Sequence, residues 1–308
     1  MWGFADGHCD TISRLVQTGE GLWENTGHWD LKRMTQFAPS LQIFALWLPT
    51  NQWNTKKVFE MMANYQKQMQ ENAEWIVPVQ CGGEINRVFS EGKHCAVLAI
   101  EGGDALHGQL PLLQAYHERG VRVMTLTWND RNPLGDGVKA TAPQGGLTTF
   151  GRTVVQEMER MGMLVDVSHL AEAGFWDVVR LAKKPFFASH SNARAICQTP
   201  RNLSDEQLRA IAYGGGVVGI NFYPTFLTEG QEASINHIVA HVAHMLTVMG
   251  EDFIALGSDF DGIEKTPVDC TDVSQVAVLR NRLQEAFGEK ITNKIMRENL
   301  LRLLHQVI

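Results

Sequence analysis

Short apolar segments alternate along this chain with longer segments in which apolar residues recur at the spacing of a helix. The short segments are rich in Val, Ile, Leu and Phe and are too short for stable helices, so the pattern predicts buried strands. The predicted strands span residues 4–8, 41–48, 96–101, 122–127, 164–168, 186–190, 217–221 and 253–259. The predicted helices span residues 56–75, 110–119, 149–161, 170–182, 204–213, 235–249, 273–287 and 290–307.

This alternation indicates the fold class. Strands that alternate with helices, with no linker and no break in composition, predict an α/β protein with one closed (β/α)8 TIM barrel, in which residues 1–308 form a single domain. An open, doubly wound sheet is the main alternative. Gly- and Pro-rich stretches at 129–146, 223–233 and 262–270 follow strand ends. We expect these stretches to line a substrate site, because the loops after barrel strands surround the active site.

Composition excludes several classes of function. Hydrophobic residues make up 44% and charged residues 20% of the 308 residues, as is typical of a globular protein. The formal charge is −7 and the chain has no basic run, so we expect no nucleic-acid partner. No apolar stretch reaches the ~20 residues of a membrane helix.

Targeting signals and cysteines predict the compartment. Residues of functional type begin at Asp6, so we expect no removable leader. The last residues, 300–308, are typical of an amphipathic helix, so we expect no lipid or membrane anchor. The five cysteines are odd in number and show no paired spacing. Reduced thiols in a cytoplasmic protein are therefore the expectation.

Metal-binding types of side chain stand at the ends of several predicted strands. His8 and Asp10 lie two residues apart, so both leave an extended segment on the same face and can hold one ion. Other strand ends supply Glu101, His169, His190 and Asp259. Because strand ends converge at the mouth of a barrel, we predict a metal site there. Imidazole and carboxylate ligands without thiolates favour Zn²⁺, with Mn²⁺ or Co²⁺ as substitutes.

A second group of histidines has a different interpretation. His237, His241 and His244 recur at helical spacing in a segment away from any strand end. This spacing favours a solvated or partly packed helix face over a second metal site.

An ordered set of short motifs runs across essentially the whole chain. The motifs are Asp6-Gly7-His8-Cys9-Asp10, Ile100-Glu101-Gly102-Gly103, Gly146-Leu147-Thr148 with Phe150-Gly151, Met163-Leu164-Val165-Asp166-Val167-Ser168-His169, Ser189-His190-Ser191, Arg201-Asn202 and Gly257-Ser258-Asp259-Phe260-Asp261-Gly262. In this order they resemble the membrane dipeptidase (renal dipeptidase) family of zinc metallopeptidases, in its shorter bacterial form.

The resemblance implies a TIM-barrel hydrolase with two Zn²⁺ ions per chain. It implies that His8 and Asp10 bind one ion and that His169 and His190 bind the other. Glu101 would bridge both ions and count among the catalytic residues. A hydroxide held between the ions would attack the substrate, as in other two-metal hydrolases. Family members are often homodimers, which the resemblance implies here.

The resemblance also implies roles toward a substrate. Arg201 would hold the free C-terminal carboxylate of a dipeptide, and Asp259 would transfer protons as a catalytic residue. The predicted function is therefore a zinc-dependent dipeptidase, with C-terminal D-residues among its substrates. Two alternatives stay open: another small-amide hydrolase on the same barrel, acting on N-acyl amino acids, and a non-catalytic metal-binding barrel. The presence of Arg201 and Asp259 argues against the latter.

Two positions depart from the family pattern. Cys9 stands where many members have Asn, and Trp128 stands where the animal enzymes have a histidine that contacts the tetrahedral intermediate. An indole has one donor and no acid–base function near neutral pH, so it cannot replace a histidine in proton transfer. We interpret Trp128 as a substrate-binding residue that shapes the pocket.

Overall fold

All strands of the barrel run parallel. The computed structural model describes residues 2–140, 145–230 and 232–308. The strands within them are β1 (Ala5–Cys9), β2 (Leu41–Leu46), β3 (Ile76–Pro78), β4 (His94–Glu101), β5 (Val121–Thr125), β6 (Leu164–Asp166), β7 (Val218–Ile220) and β8 (Ile254–Leu256). Their hydrogen-bonded order is β6-β5-β4-β2-β1-β8-β7, and β3 pairs with β4 outside this path.

A short extended segment between β6 and β7 closes the sheet. Phe187 pairs with Asp166 of β6, and Ala188 pairs with Val218 of β7. The eight predicted strands thereby occupy eight positions around one barrel, which confirms the (β/α)8 fold and not the doubly wound alternative. The predicted strand 186–190 is reduced to these two pairs. The backbone amides that follow donate to side chains instead of to a neighbouring strand, Ser189 to Asp166 and His190 to Ser168.

Helices connect most of the strands. They are α1 (Thr11–Thr18), α2 (Leu31–Met34), α3 (Thr55–Glu71), α4 (Gly82–Ser90), α5 (Leu110–Glu118), α6 (Thr149–Met161), α7 (Glu172–Leu181), α8 (Asp205–Tyr213), α9 (Pro224–Leu227), α10 (Ile235–Met249), α11 (Val276–Asn293) and α12 (Asn299–Val307). Short 3₁₀ turns lie at Thr50–Gln52, Gly103–Leu106 and Val273–Gln275, and a π-helical turn, Lys294–Glu298, joins α11 to α12. No helix in the described ranges is long and apolar enough to cross a membrane.

The predicted helix 56–75 is wrong in its last turn. Helix α3 ends at Glu71, and Asn72, which follows it, has φ −116° and ψ 20° and donates from its side chain to the Gln68 carbonyl. The apolar residues that follow form β3, which pairs with the first residues of β4. A short apolar run has no period of its own, so the sequence pattern did not predict β3.

The interior of the barrel places Glu101 at its mouth. Val97 and Ala99 of β4 belong to a buried cluster with Ile43 of β2 and Val123 of β5. Glu101 continues this series, because alternate residues of a strand share one face. Leu300, Leu303 and Leu304 of α12 pack into the same cluster.

The histidines of α10 lie on a partly packed helix face, as expected: His237 and His244 are half-buried and only His241 is fully buried. His241 is fully buried, accepts a hydrogen bond from the Ala193 amide at Nδ1 (3.1 Å) and donates from Nε2 to the Leu227 carbonyl (3.0 Å). His237 caps its own helix at Ser234, and His244 pairs with Asp205 of α8. The helix therefore uses its imidazoles to fix neighbouring loops.

We expect His241 to make stability pH-dependent. Burial lowers the pKa of His241 to about 4, whereas the unfolded chain binds this proton near a pKa of about 6.5. The unfolded state binds more protons between these values, so stability falls as the pH falls through them. The loss from pH 7 to pH 5 is about 2 kcal/mol. Urea unfolding at both pH values should show a smaller pH dependence in His241→Gln, and equal dependence in both proteins would contradict this assignment.

Candidate metal centre

The predicted ligands meet at the mouth of the barrel around one carboxylate. His8 Nε2 lies 3.3 Å from Asp10 Oδ2 and 3.6 Å from Glu101 Oε2. The other oxygen, Glu101 Oε1, lies 2.9 Å from His169 Nε2 and 3.6 Å from His190 Nε2. The two oxygens of Glu101 thus face two different pairs of side chains. This is the arrangement that a bridging carboxylate requires.

The donor atoms of this site fit metal ions. His8 Nε2 and Asp10 Oδ1 are buried and have no hydrogen-bond partner, which is costly unless another group satisfies them. Their ligand atoms group with Glu101 within 4.8 Å, and those of His169 and His190 do the same. Oxygen and imidazole donors without thiolate suit Zn²⁺. We conclude that the residues present fit a two-metal centre.

Hydrogen bonds orient the imidazoles of the second pair. His169 Nδ1 lies 2.9 Å from Asn129 Oδ1, and His190 Nδ1 lies 2.7 Å from Ser189 Oγ. The Asn129 oxygen can only accept, so His169 carries its proton on Nδ1 and leaves the Nε2 lone pair free. Sequence reasoning missed Asn129, although it lies on a strand-end loop that was singled out as a substrate wall.

The backbone at two site residues is strained. His169 has φ 65° and Asp259 has φ 62°, in the left-handed region that residues other than Gly rarely adopt. Each stands just after the last paired residues of a strand, where the turn directs its side chain across the mouth. Strain of this kind concentrates at functional sites.

Asp259 lies next to the first pair of ligands. Its Oδ1 is 4.0 Å from His8 Nε2, and its Oδ2 accepts a hydrogen bond from Asn221 Nδ2 (2.9 Å). Burial raises the pKa of Asp259 to about 8, although His8 opposes this shift. A carboxyl group with a pKa near neutrality can both accept and donate a proton. Asn221, at the end of β7, was not predicted from the sequence.

The electrostatics of Glu101, His169 and His190 favour metal ligation. Burial opposes ionisation of Glu101, but His8 and His169 outweigh it and hold the pKa of Glu101 below its usual range. Burial lowers the pKa of His169 to about 4 and that of His190 well below its usual value. Glu101 is therefore an anion and both imidazoles are neutral, which are the forms that bind metals.

Arg201 is a buried cation that forms no direct ion pair within the described residues. It is only 5% exposed, and its guanidinium donates to the Ser191 hydroxyl (3.5 Å) and the His190 carbonyl (3.3 Å). Its Nε has no partner. Burial lowers the pKa of Arg201 to about 10, so it stays charged at neutral pH. A buried charge without a counter-ion is costly, which indicates a binding position for an anion.

One cavity of about 620 Å³ joins these groups. Its wall includes Glu101, Asp259 and Arg201, and aromatic side chains line another part of it: Trp47, Trp128, Tyr223 and Phe226. Trp128 is half-buried and its ring centre lies 5.2 Å from that of Trp47 and 6.0 Å from that of His169. The described parts of the predicted loops contribute to this wall, while 141–144 and 231 lie outside the described residues.

Comparisons with known proteins identify the family of this chain. The family model described as membrane dipeptidase (peptidase family M19) matches residues 3–308. An uncharacterized protein in the pqqA 5' region of Klebsiella pneumoniae is 40% identical over 228 residues, which are 70% of this chain and 84% of that protein.

Two solved structures resemble the whole chain. The dipeptidase AC, a metallopeptidase of family M19, has a TM-score of 0.92 at 29% identity and covers 99% of this chain and 98% of its own. A metallopeptidase from Rhodobacter sphaeroides, liganded with a phosphinate mimic of the dipeptide L-Ala-D-Ala, has a TM-score of 0.90 at 28% identity. It covers 100% of this chain and 99% of its own.

Proposed function

This chain belongs to the membrane dipeptidase family and is a metal-dependent dipeptidase, and we propose that it cleaves dipeptides with a free C-terminal carboxylate at two Zn²⁺ ions. The observation that supports this reaction most strongly is that one cavity contains both the ligand cluster around Glu101 and the unpaired cation Arg201. The first suits the scissile amide and the second suits the substrate's carboxylate.

Five residues would hold the two ions. His8 and Asp10 would hold one ion, His169 and His190 would hold the other, and Glu101, whose two oxygens face the two pairs, would contribute to both sites. When bound, a pair of such ions polarises the scissile carbonyl and lowers the pKa of water. Two carboxylates, Asp10 and Glu101, offset only part of the charge of two divalent ions. The centre therefore keeps a net positive charge, which suits an anionic substrate.

Protein groups position the substrate and move its protons. Arg201 binds the C-terminal carboxylate with its guanidinium fork, a geometry that matches two oxygens at once. The distance from Arg201 to the ligand cluster then selects short peptides. Asp259 takes a proton from the attacking water and returns it to the leaving amine, and Asn221 holds the carboxyl group in place for both transfers.

We also propose that C-terminal D-residues are accepted. The related Rhodobacter sphaeroides metallopeptidase holds a mimic of L-Ala-D-Ala. The cavity of this chain, at about 620 Å³, is large enough for a dipeptide of either configuration.

A substrate panel with metal analysis tests the proposed function. We expect purified protein supplied with Zn²⁺ to hydrolyse L-Ala-L-Ala and L-Ala-D-Ala, and to act far less on N-acetyl-D-Ala. Elemental analysis should approach two zinc ions per chain. Faster turnover of N-acyl amino acids than of dipeptides would overturn the dipeptide assignment. A fully supplemented protein with one ion or none would overturn the two-metal centre.

Trp128 provides a separate prediction about the pocket. Trp128→Phe keeps most of the bulk and removes the N–H donor, whereas Trp128→Ala removes both. If Trp128 only shapes the wall, Phe should keep a near-normal kcat, while Ala should change KM and shift preference toward bulkier dipeptides. Steady-state kinetics on dipeptides of increasing size measures both effects. A loss of about 10²–10³-fold in kcat for Phe, typical of an oxyanion donor, would show that the indole contacts the reacting atoms.

We also propose that the protein is cytoplasmic and forms a homodimer. The five cysteines are free, and one of them, Cys81, is exposed, which suits the reducing cytoplasm. Family resemblance supports a homodimer. Fractionation of the source cells and light scattering of the purified protein test these two points.

A further inference from the structure

Beneath the candidate metal centre lies a buried carboxylate that ligates no metal in the proposed assignment. Asp166 of β6 is fully buried and has no cationic partner within the described residues. Four neutral donors satisfy it: the Thr125 hydroxyl (2.6 Å), the Ser189 hydroxyl (2.6 Å) and the amides of Ser168 and Ser189 (2.9 Å each). Such a group is costly to bury, so its contacts call for a functional explanation.

The direction of each hydrogen bond around Ser189 follows from its partners. An ionised carboxylate only accepts, so the Ser189 hydroxyl must donate its single proton to Asp166 Oδ2. The oxygen of that hydroxyl can then only accept from His190 Nδ1, which lies 2.7 Å away. His190 consequently carries its proton on Nδ1 and leaves its Nε2 lone pair free for a metal ion, on the side of the ring that faces Glu101.

We propose that Asp166 is a positioning residue of the metal centre, acting through Ser189 to fix the tautomer of His190. This inference rests on the proposed metal centre and extends it by one layer. The two histidines of this pair thus have different hydrogen-bond partners. His169 donates to the side-chain oxygen of Asn129, whereas His190 donates to the Ser189 hydroxyl, which in turn donates to Asp166. A negative charge behind an imidazole strengthens it as a ligand.

The hydrogen bonds around Asp166 also predict how Asp166→Asn changes the tautomer of His190. Two backbone amides point at Oδ1, so the Asn oxygen must take that position and its NH₂ group must take the position of Oδ2. The NH₂ group then donates to Ser189 Oγ. The Ser189 hydroxyl is released to donate to His190 Nδ1, which at 2.7 Å is a nearer acceptor than Ser168 Oγ at 3.3 Å or His8 Nδ1 at 3.5 Å. The substitution therefore moves the His190 proton to Nε2, the nitrogen that faces the metal site.

Nitrogen-15 NMR of the chelator-treated apoprotein reads this tautomer directly. In the unmodified protein we expect His190 to be protonated on Nδ1, with its signals assigned by comparison with His190→Ala. Asp166→Asn should shift the proton to Nε2, and Ser189→Ala should give a mixture. An unmodified protein with His190 protonated on Nε2, or an unchanged tautomer in both variants, would overturn the proposal.

Zinc affinity, measured by competition with a chromophoric chelator, gives the second readout. Ser189→Ala and Asp166→Asn should weaken one of the two ions about 10- to 100-fold, as is usual for partners of metal-bound histidines. Ser168→Ala is the comparison variant, because Ser168 is as buried as Ser189 and contacts the His190 amide and, more weakly, the Ser189 hydroxyl (3.3 Å), but not the His190 ring; it should lose less affinity. Equal losses of zinc affinity in Ser168→Ala and Ser189→Ala would show that packing, and not the hydrogen bonds from His190 through Ser189 to Asp166, causes the loss.

These experiments test the positioning role of Asp166 separately from the proposed function. The apoprotein spectrum contains neither metal nor substrate. An unmodified enzyme that fails to cleave dipeptides would overturn the proposed function and leave the tautomer result standing. Circular dichroism melts of each variant verify that the fold persists, and Ser189→Ala supplies the test if Asp166→Asn does not fold.

Discussion

Glu101→Gln is expected to empty both metal positions and to lower kcat/KM for dipeptides by about 10³-fold or more, since two-metal sites supply several kcal/mol of transition-state stabilisation. The substitution keeps the shape of the side chain and removes its charge. Each oxygen of Glu101 faces a different pair of ligands, so one change reaches both ions. An amide also places an NH₂ group, which cannot bind a metal ion, where one of the two carboxylate oxygens stood.

His8→Ala is the informative comparison. His8 lies near Oε2 of Glu101 and belongs to the group with Asp10, so its removal should empty mainly one position. Elemental analysis of the two variants should therefore give different stoichiometries, close to none for Glu101→Gln and close to one for His8→Ala. If Glu101→Gln retained two zinc ions per chain, the bridging role would be wrong.

The sequence predicted the barrel because parallel strands buried on both faces leave a strong apolar signal. Its eight predicted strands match the eight barrel positions, and the family resemblance is confirmed by the match over residues 3–308. Boundaries were less predictable. Strand 186–190 shortens because side chains capture its amides, and β3 was not predicted because its three residues, Ile76–Pro78, are too few to show a period. Short helices such as α2 and α9, of four residues each, carry no pattern to detect.

Residues that act directly were easier to predict than residues that support them. His8, Glu101 and His190 are ionisable residues at the ends of apolar strands, and ionisable side chains are rare at buried positions. Asn129, Asn221 and Ser189 carry no such mark, because neutral polar residues are common in loops and their importance depends on which ring nitrogen they meet. Arg201 could be assigned only by resemblance. Its lack of a counter-ion is a property of the fold that no local pattern reports.

Arg201→Ala is expected to lower kcat/KM for dipeptides by about 10²–10³-fold, because removing one partner of a buried charged pair costs about 2–5 kcal/mol. The guanidinium has no carboxylate partner in the described parts of the chain, and its Nε is unsatisfied. The substrate's carboxylate would supply the missing anion. Because Arg201 donates to the Ser191 hydroxyl and to the backbone carbonyl of His190, and not to a metal-binding atom, the zinc content should not change. Steady-state kinetics and elemental analysis of the same preparation measure both.

Substrate amidation should reproduce the loss without any change to the protein. The unmodified enzyme should cleave L-Ala-D-Ala far faster than its C-terminal amide, whereas Arg201→Ala should treat the two nearly alike. Arg14→Ala is the matched control, since Arg14 lines the same cavity but is already paired with Glu20 at 2.6 Å. Arg201→Lys keeps the charge and loses the fork, so it should recover only part of the activity. Equal turnover of dipeptide and amide by the unmodified enzyme would contradict carboxylate binding by Arg201, because a buried guanidinium that binds the carboxylate must distinguish an anion from a neutral amide.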